Sequence, residues 1–176
     1  MKRYALKWLG MMLFFAFMVS FVNSSTEAWA GKKESTFSKQ ITGNWELVSL
    51  INEQDGKKSE PFGSNPLGSL IFCSDGKFSL IITKTDLPKF AVNNRMKGTA
   101  EENQAVVQGS FAGFGSYKVA EVKEGKVILH FTGCTFPNWI GQDQERILTV
   151  TGNELKMITP AAAVGGSNTL TLKRTK

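Results

Sequence analysis

The sequence predicts an all-β protein, an eight-stranded up-and-down antiparallel barrel with one short helix. Eight runs show the two-residue alternation of strands, and short turns rich in Gly, Asn and Asp separate most of them. A single segment, residues 99–109, has helical spacing instead. Sequential strands joined by short turns favour a closed barrel, because closure removes exposed strand edges. A two-sheet sandwich is the alternative architecture.

The boundaries of these elements follow from local signals. Asp75-Gly76 supplies the strongest hairpin signal, and Glu124-Gly125, Gly152-Asn153 and Gly165-Gly166 mark further turns. Thr99 and Glu102 have the spacing of a capping box, which starts the helix. The predicted strands cover residues 45–51, 69–73, 78–82, 112–122, 126–133, 143–151, 154–159 and 169–174.

The N-terminus has the plan of a signal peptide. Lys2, Arg3 and Lys7 precede an apolar run from Trp8 to Val22, and a small-residue cleavage motif ends at Ala30. The apolar run is shorter than the roughly 20 residues that a membrane-spanning helix needs. We therefore expect residues 1–30 to be removed, residues 31–42 to form a flexible lead-in, and residues 43–176 to form the barrel domain. The product would be exported, periplasmic or secreted, without a stable membrane anchor.

Charge and cysteine content exclude several classes of function. The chain carries a net charge of +6, and the first thirty residues hold three of its basic and one of its acidic side chains. The remaining basic residues are scattered over separate turns, which is typical of a solvated surface and not of a nucleic-acid interface. One histidine and two cysteines without metal spacing give no metal site, and no cofactor motif is present. Cys73 and Cys134 can pair after export, but we favour two buried thiols.

The inner face of the barrel can be followed from strand to strand through the turns. Around Gly152-Asn153, Val150 opposes Leu155 and Leu148 opposes Met157, while Arg146 opposes Thr159 on the same apolar face. If the Pro137 loop is symmetric about Asn138, His130 joins that face opposite Arg146, and Thr132 opposes Tyr117. The outer face would then carry an apolar patch covered by the helix of residues 99–109. That patch consists of Val127, Leu129 and Phe131.

The same reasoning predicts the wall of a cavity. Around Asp75-Gly76 the inward residues are Ile71, Phe78, Leu80 and Ile82. Phe78, Leu80, Leu148 and Met157 would surround the body of a ligand, and Tyr117, His130, Arg146 and Trp139 would contact its polar end or close the barrel. A mainly apolar cavity with a few convergent polar groups is the usual form of a small-molecule site. The alternative is a filled core in which Tyr117, His130 and Arg146 satisfy one another.

Four residues have predicted structural roles. The first and last strands pair in a closed barrel, which brings Arg174 onto the ring of Trp45 in a cation–π contact. In the loop before the sixth predicted strand, Pro137 would fix the backbone and Asn138 would bond the turn.

Short motifs are spread over the whole predicted domain. They are Gly43-x-Trp45-x-Leu47-Val48-Ser49, Pro61-Phe62-Gly63, Pro66-x-Gly68, Asp75-Gly76, Thr99-x-x-Glu102, Gly115-x-Tyr117, His130, Phe136-Pro137-Asn138-Trp139-x-Gly141, Gln144, Arg146, Leu155 and Thr159-Pro160. In these motifs the sequence resembles the lipocalin-like domain family of bacteria and fungi, within the calycin group. The resemblance implies an up-and-down β-barrel and, more loosely, the binding of a small apolar molecule. Leu172, where an aromatic residue is common, and the secretion signal depart from the pattern.

The leading functional hypothesis is an exported barrel that binds a small hydrophobic or amphipathic molecule, with Arg146 favouring an anionic one. The sequence contains no nucleophile elbow or phosphate loop, and Gly113-Phe114-Gly115 is typical of a strand kink. A binding protein is therefore favoured over an enzyme. The enzymatic alternative is an isomerase or cyclase in which His130 acts as acid or base. A third hypothesis is a structural or interaction module of the envelope.

Overall fold

The structure is a computed structural model that describes residue 31 and residues 33–175. The chain separates into two units, the first ending at Phe37 and the second starting at Ser38. The signal peptide expected over residues 1–30 lies outside the described residues. Among the residues that the structure describes, no helix has the length and apolar character needed to cross a membrane.

The second unit is an eight-stranded closed antiparallel barrel with one short additional strand. The first strand pairs with the short second strand and with the third, and from the third strand onward each strand pairs with the next one in the sequence. The last strand pairs with the first, so the sheet closes on itself. This closure confirms the predicted barrel and excludes the two-sheet sandwich. The strands are β1 (Gly43–Gln54), β2 (Lys57–Ser59), β3 (Leu67–Phe72), β4 (Lys77–Thr83), β5 (Ser110–Glu121), β6 (Lys126–Cys134), β7 (Asp143–Thr151), β8 (Glu154–Thr159) and β9 (Ser167–Arg174).

The short strand β2 was missed by the sequence analysis. Asp55 and Gly56 both adopt positive φ angles, of 51° and 72°, which is the requirement of a type I′ turn. The chain therefore folds back at once, and Lys58 pairs with Glu53 of β1. β2 occupies the part of the β1 edge beyond the residues that pair with β3.

The predicted helix is α1 (Ala100–Gly109), and its capping box is present. The Thr99 hydroxyl accepts a hydrogen bond from the Glu102 backbone, and the Glu102 carboxylate accepts one from the Thr99 backbone. Two 3-10 turns, Arg95–Lys97 and Pro137–Trp139, complete the connections.

A second helical segment lies where the sequence predicted a flexible lead-in. Residues 33–41 are helical, and within the second unit Ile41 is fully buried. Its backbone carbonyl accepts a hydrogen bond from the indole Nε1 of Trp45, at 2.8 Å. The polar composition of residues 31–42 concealed this element, because Phe37 and Ile41 are its only buried apolar residues among those described, too few for an amphipathic repeat.

Strand β6 has a different register from the one predicted, shifted by three residues against both of its neighbours. Tyr117 pairs with Leu129 instead of Thr132, and Arg146 pairs with Val127 instead of His130. An odd shift reverses the faces of a strand. Val127, Leu129 and Phe131 therefore lie inside, fully buried, and are not an outer patch beneath α1.

The register of the β3–β4 hairpin also differs from the predicted one, by one residue. Cys73 and Lys77 flank a three-residue loop, in which Gly76 has a φ angle of 80°. Leu70 consequently pairs with Leu80, and Ile71 pairs with Ser79 on the outer face. Phe78, Leu80 and Ile82 are buried as predicted, whereas the inward position predicted for Ile71 is wrong.

Candidate functional site

A cavity of about 210 Å³ lies inside the barrel, toward the end that α1 and the β8–β9 loop border. It reaches the surface, because Val107 of α1 and Val164 of the β8–β9 loop line it and are exposed. Two thirds of the lining residues are apolar. The lining consists of Leu50, Phe62, Leu80, Ile82, Val107, Gln108, Ser110, Phe111, Thr135, Phe136, Trp139, Arg146, Met157, Thr159, Ala163, Val164, Asn168 and Leu170.

The opposite half of the barrel is filled with side chains. Trp45 pairs with Leu70 in β3 and with Arg174 in β9, and the neighbouring inward positions are occupied by large apolar residues. The barrel is thus part core and part cavity. The residues that fill this half include Trp45, Leu70, Phe72, Val127, Leu129, Leu155 and Leu172, all at most 1% exposed.

Arg146 is the charged residue in the cavity wall. Its side chain is 2% exposed, and its Nη1 donates to the backbone carbonyl of the preceding residue, Glu145, at 2.6 Å. Its Nε is buried without a hydrogen-bond partner among the described residues. Burial lowers the pKa of the guanidinium to about 10, so the group still carries its charge at neutral pH. A buried cation without a carboxylate partner is costly unless an anion joins it.

The loop after β6 places an aromatic ring next to that cation. Pro137 begins the 3-10 turn, and the backbone N–H of Ile140 donates to its carbonyl at 3.0 Å. The turn carries Trp139 inward, with its ring 5.1 Å from the Arg146 guanidinium carbon. Phe111 and Phe136 contact the same indole edge-on, at 5.7 and 5.6 Å between ring centroids. These three rings form an aromatic wall beside the charge.

Half of the eight residues predicted to bind a ligand line the cavity: Leu80, Trp139, Arg146 and Met157. Three others point inward but belong to the filled core. The Tyr117 hydroxyl donates to the carbonyl of Cys73 at 2.9 Å, and its ring packs edge-on against Phe72. Phe78 packs edge-on against Phe131, and Leu148 is 2% exposed outside the cavity.

His130 lies on the outside of the barrel, which corrects the prediction that it faces the ligand. Its side chain is 47% exposed, and Nδ1 contacts Oδ1 of Asp143 in β7 at 2.8 Å. The three-residue shift of β6 is the cause. An acid–base role for His130 toward a ligand in the cavity therefore has no geometric support.

The residues with predicted structural roles are placed as follows. Arg174 lies over the ring of Trp45, with its guanidinium carbon 4.0 Å from the centroid. The same guanidinium donates to the carbonyls of Thr42 and Gln40, at 2.8 and 2.6 Å. Asn138 is exposed, and within the described residues its side chain makes no hydrogen bond, so it does not bond the turn as predicted.

The two cysteines are unpaired. Cys73 is exposed, contrary to the prediction of a buried thiol, whereas Cys134 is partly buried. Burial raises the pKa of the Cys134 thiol, and its Sγ accepts a hydrogen bond from the backbone of Phe136 at 3.3 Å.

Most of the polar residues of the cavity wall, and several of its apolar residues, were not identified from the sequence. Thr159 could have been found, because the Gly152-Asn153 turn already placed it beside Arg146. Phe62, Phe111 and Asn168 depend on how the long loops and the last strand approach the cavity, which no local pattern encodes.

Comparison with known proteins shows the family of the chain. The sequence model of the lipocalin-like domain matches residues 42–175. No curated protein matches the chain. A solved structure described as "REP1-NXSQ fatty acid transporter" has 14% sequence identity and a TM-score of 0.38, over 78% of this chain and 98% of that chain. The match over residues 42–175 and the closed barrel together show that the chain belongs to the lipocalin-like domain family.

Proposed function

We propose that this barrel binds a small amphipathic anion, with the apolar body of the ligand in the cavity and its carboxylate on Arg146. The observation that carries the proposal is the unpartnered Nε of Arg146, a buried charged donor in the wall of an otherwise mostly apolar cavity. A carboxylate would accept from this group in a charge-assisted hydrogen bond, which is stronger than a neutral one. The aromatic wall of Phe111, Phe136 and Trp139 would exclude water from that contact.

The size of the cavity restricts the ligand. Pockets for drug-sized molecules measure roughly 300–1,000 Å³, whereas an apolar cavity of about 150 Å³ holds benzene. The volume here, about 210 Å³, lies between these values. The ligand would therefore be a small molecule such as a medium-chain or single-ring carboxylate. A purely structural module with a filled interior would leave no such space.

The test compares octanoate with methyl octanoate by isothermal titration calorimetry. A hydrogen bond to a charged group contributes about 1.5–3 kcal/mol, so octanoate should bind roughly 10- to 100-fold more tightly than the ester. Arg146→Met should remove the difference between the two ligands. Arg95→Met is the matched control, because Arg95 is exposed on a 3-10 turn and the variant has the same net charge. Equal affinity for acid and ester, or no binding of either, would contradict the proposal.

We also propose that the barrel is exported, on the basis of the signal-peptide plan of residues 1–30. Mass spectrometry of the protein from the exported fraction should give a chain that starts at Gly31. A chain that keeps Met1 and stays in the cytoplasm would exclude export.

A further inference from the structure

Arg146 belongs to a row of polar side chains that crosses three neighbouring strands on the inner face of the barrel. Ile147 of β7 pairs with Ile158 of β8, which places Arg146 next to Thr159. Thr159 in turn pairs with Asn168 of β9. All three side chains line the cavity, and Thr159 is 5% exposed. We call Arg146, Thr159 and Asn168 the polar row.

The orientation of the Asn168 amide is determined by its neighbour. The buried Nδ2 of Asn52 donates to the backbone carbonyls of Gly165 and Ser167, at 2.8 and 3.3 Å, so this atom must be the amide nitrogen. It also donates to Oδ1 of Asn168 at 2.9 Å. The Asn168 oxygen thereby accepts one hydrogen bond, and its NH₂ group is the donor that remains for other partners.

The polar row presents donors that lack acceptors. Within the part of the chain that the structure describes, the Thr159 hydroxyl and the Asn168 Nδ2 make no hydrogen bond, and the Arg146 Nε is unpartnered. The other walls of the cavity are largely apolar, with Leu50, Phe62 and Leu80 among them. A wholly hydrocarbon ligand body would leave these donors desolvated and unpaired, which is unfavourable.

From this row we infer that the ligand is an oxygenated carboxylate, one that carries a ketone or hydroxyl oxygen in addition to its acid group. The inference rests on the proposed function, because it assumes that the carboxylate lies on Arg146. The second oxygen would accept hydrogen bonds from Thr159 and Asn168. Since neighbouring strands lie about 4.8 Å apart, this oxygen would lie roughly 5–10 Å from the carboxylate, away from the α-carbon.

The experiment compares octanoate, 5-oxooctanoate and 7-oxooctanoate by isothermal titration calorimetry. The two ketones place the second oxygen at different distances from the carboxylate while the chain length stays constant. One neutral hydrogen bond changes affinity by roughly 2- to 10-fold, so at least one ketone should bind more tightly than octanoate by this factor. Thr159→Val and, separately, Asn168→Ala should each reduce that preference. Thr159→Val should also improve the binding of octanoate, because it removes an unpaired hydroxyl from the wall.

The control for Thr159→Val is Thr149→Val, a substitution at an exposed position of β7 that should retain the preference of the native protein. Octanoate binding without any preference for either ketone would overturn the inference and leave the proposed function standing. Retention of the preference in both Thr159→Val and Asn168→Ala would also overturn it. Failure of all three acids to bind would reject the proposed function itself.

Discussion

Replacing Arg146 with Met should stabilise the fold and weaken anion binding in the same protein. Burial lowers the pKa of this guanidinium by more than two units, to about 10. One pKa unit corresponds to about 1.4 kcal/mol, so carrying the charge in the folded state costs about 3 kcal/mol. Methionine keeps an unbranched side chain in the cavity wall and removes the charge.

The gain will be smaller than the full cost of the charge. Arg146→Met also loses the hydrogen bond from Nη1 to the Glu145 carbonyl and the contact with Trp139. At the lower ends of their ranges, the hydrogen bond from the charged group contributes about 1.5 kcal/mol and the cation–π contact about 0.5 kcal/mol, so we expect the free energy of unfolding to rise by about 1 kcal/mol.

Urea unfolding, followed by tryptophan fluorescence and by circular dichroism, measures this change. The midpoint should increase at constant slope for Arg146→Met, whereas Arg95→Met should stay within about 0.5 kcal/mol of the native protein. Octanoate affinity should fall roughly 10- to 100-fold only in the first variant. A less stable Arg146→Met protein with unchanged octanoate affinity would refute the reasoning, because it would mean that the charge is satisfied inside the fold.

Octanoate affinity, measured by calorimetry across pH, should be lost as pH rises through about 10, where Arg146 loses its proton, and as pH falls below roughly 4.5, where the acid gains one. Arg174→Met should lower the free energy of unfolding in urea by about 1–3 kcal/mol, since it removes the cation–π contact with Trp45 and two hydrogen bonds; an unchanged midpoint would contradict this. His130→Ala should leave octanoate affinity unchanged within twofold, because the side chain lies outside the barrel; a large loss would place His130 in the site. Gly115→Ala should cost about 1–3 kcal/mol in thermal or urea unfolding, since a Cβ there would overlap the carbonyl oxygen of His130.

A short turn determines the register of its hairpin, so strand pairs across such a turn can be predicted from the sequence. The two-residue turn Gly152-Asn153 determines its hairpin register, and the pairs Leu148–Met157 and Val150–Leu155 were predicted correctly from it. Alternation along the strands and the capping box of α1 were likewise local signals, so the number and order of the eight barrel strands followed.

The registers on both sides of β6 could not be read in this way. The β5–β6 pairing contains two irregularities, at Phe114/Gly115 and at Val119/Glu121, and the loop after β6 is not symmetric about Asn138. Neither bulges nor long loops leave a periodic trace in the sequence. The predicted inward position of His130 required both registers, whereas Arg146 required only the short turn after β7 and was placed correctly.

Most of the cavity wall was similarly inaccessible from local patterns. Trp139 and Met157 lie in or beside regular elements, and their inward direction follows from nearby turns. Asn168 lies in the cavity wall because β9 returns to pair with β1, and its amide is oriented by Asn52, more than a hundred residues earlier in the chain. Contacts of this kind arise from closure of the barrel and not from the neighbouring sequence.

The pairing of β1 with β9 also determines how the protein folds. Hairpins such as β7–β8 can form from neighbouring residues, but Trp45 and Arg174 meet only when nearly the whole domain is in place. Ordering so long a loop carries an entropic cost before the contact repays it, and folding rates fall as such contacts increase. Barrel closure should therefore be the slow step, and until it occurs the unpaired edges of β1 and β9 are open to pairing with other chains.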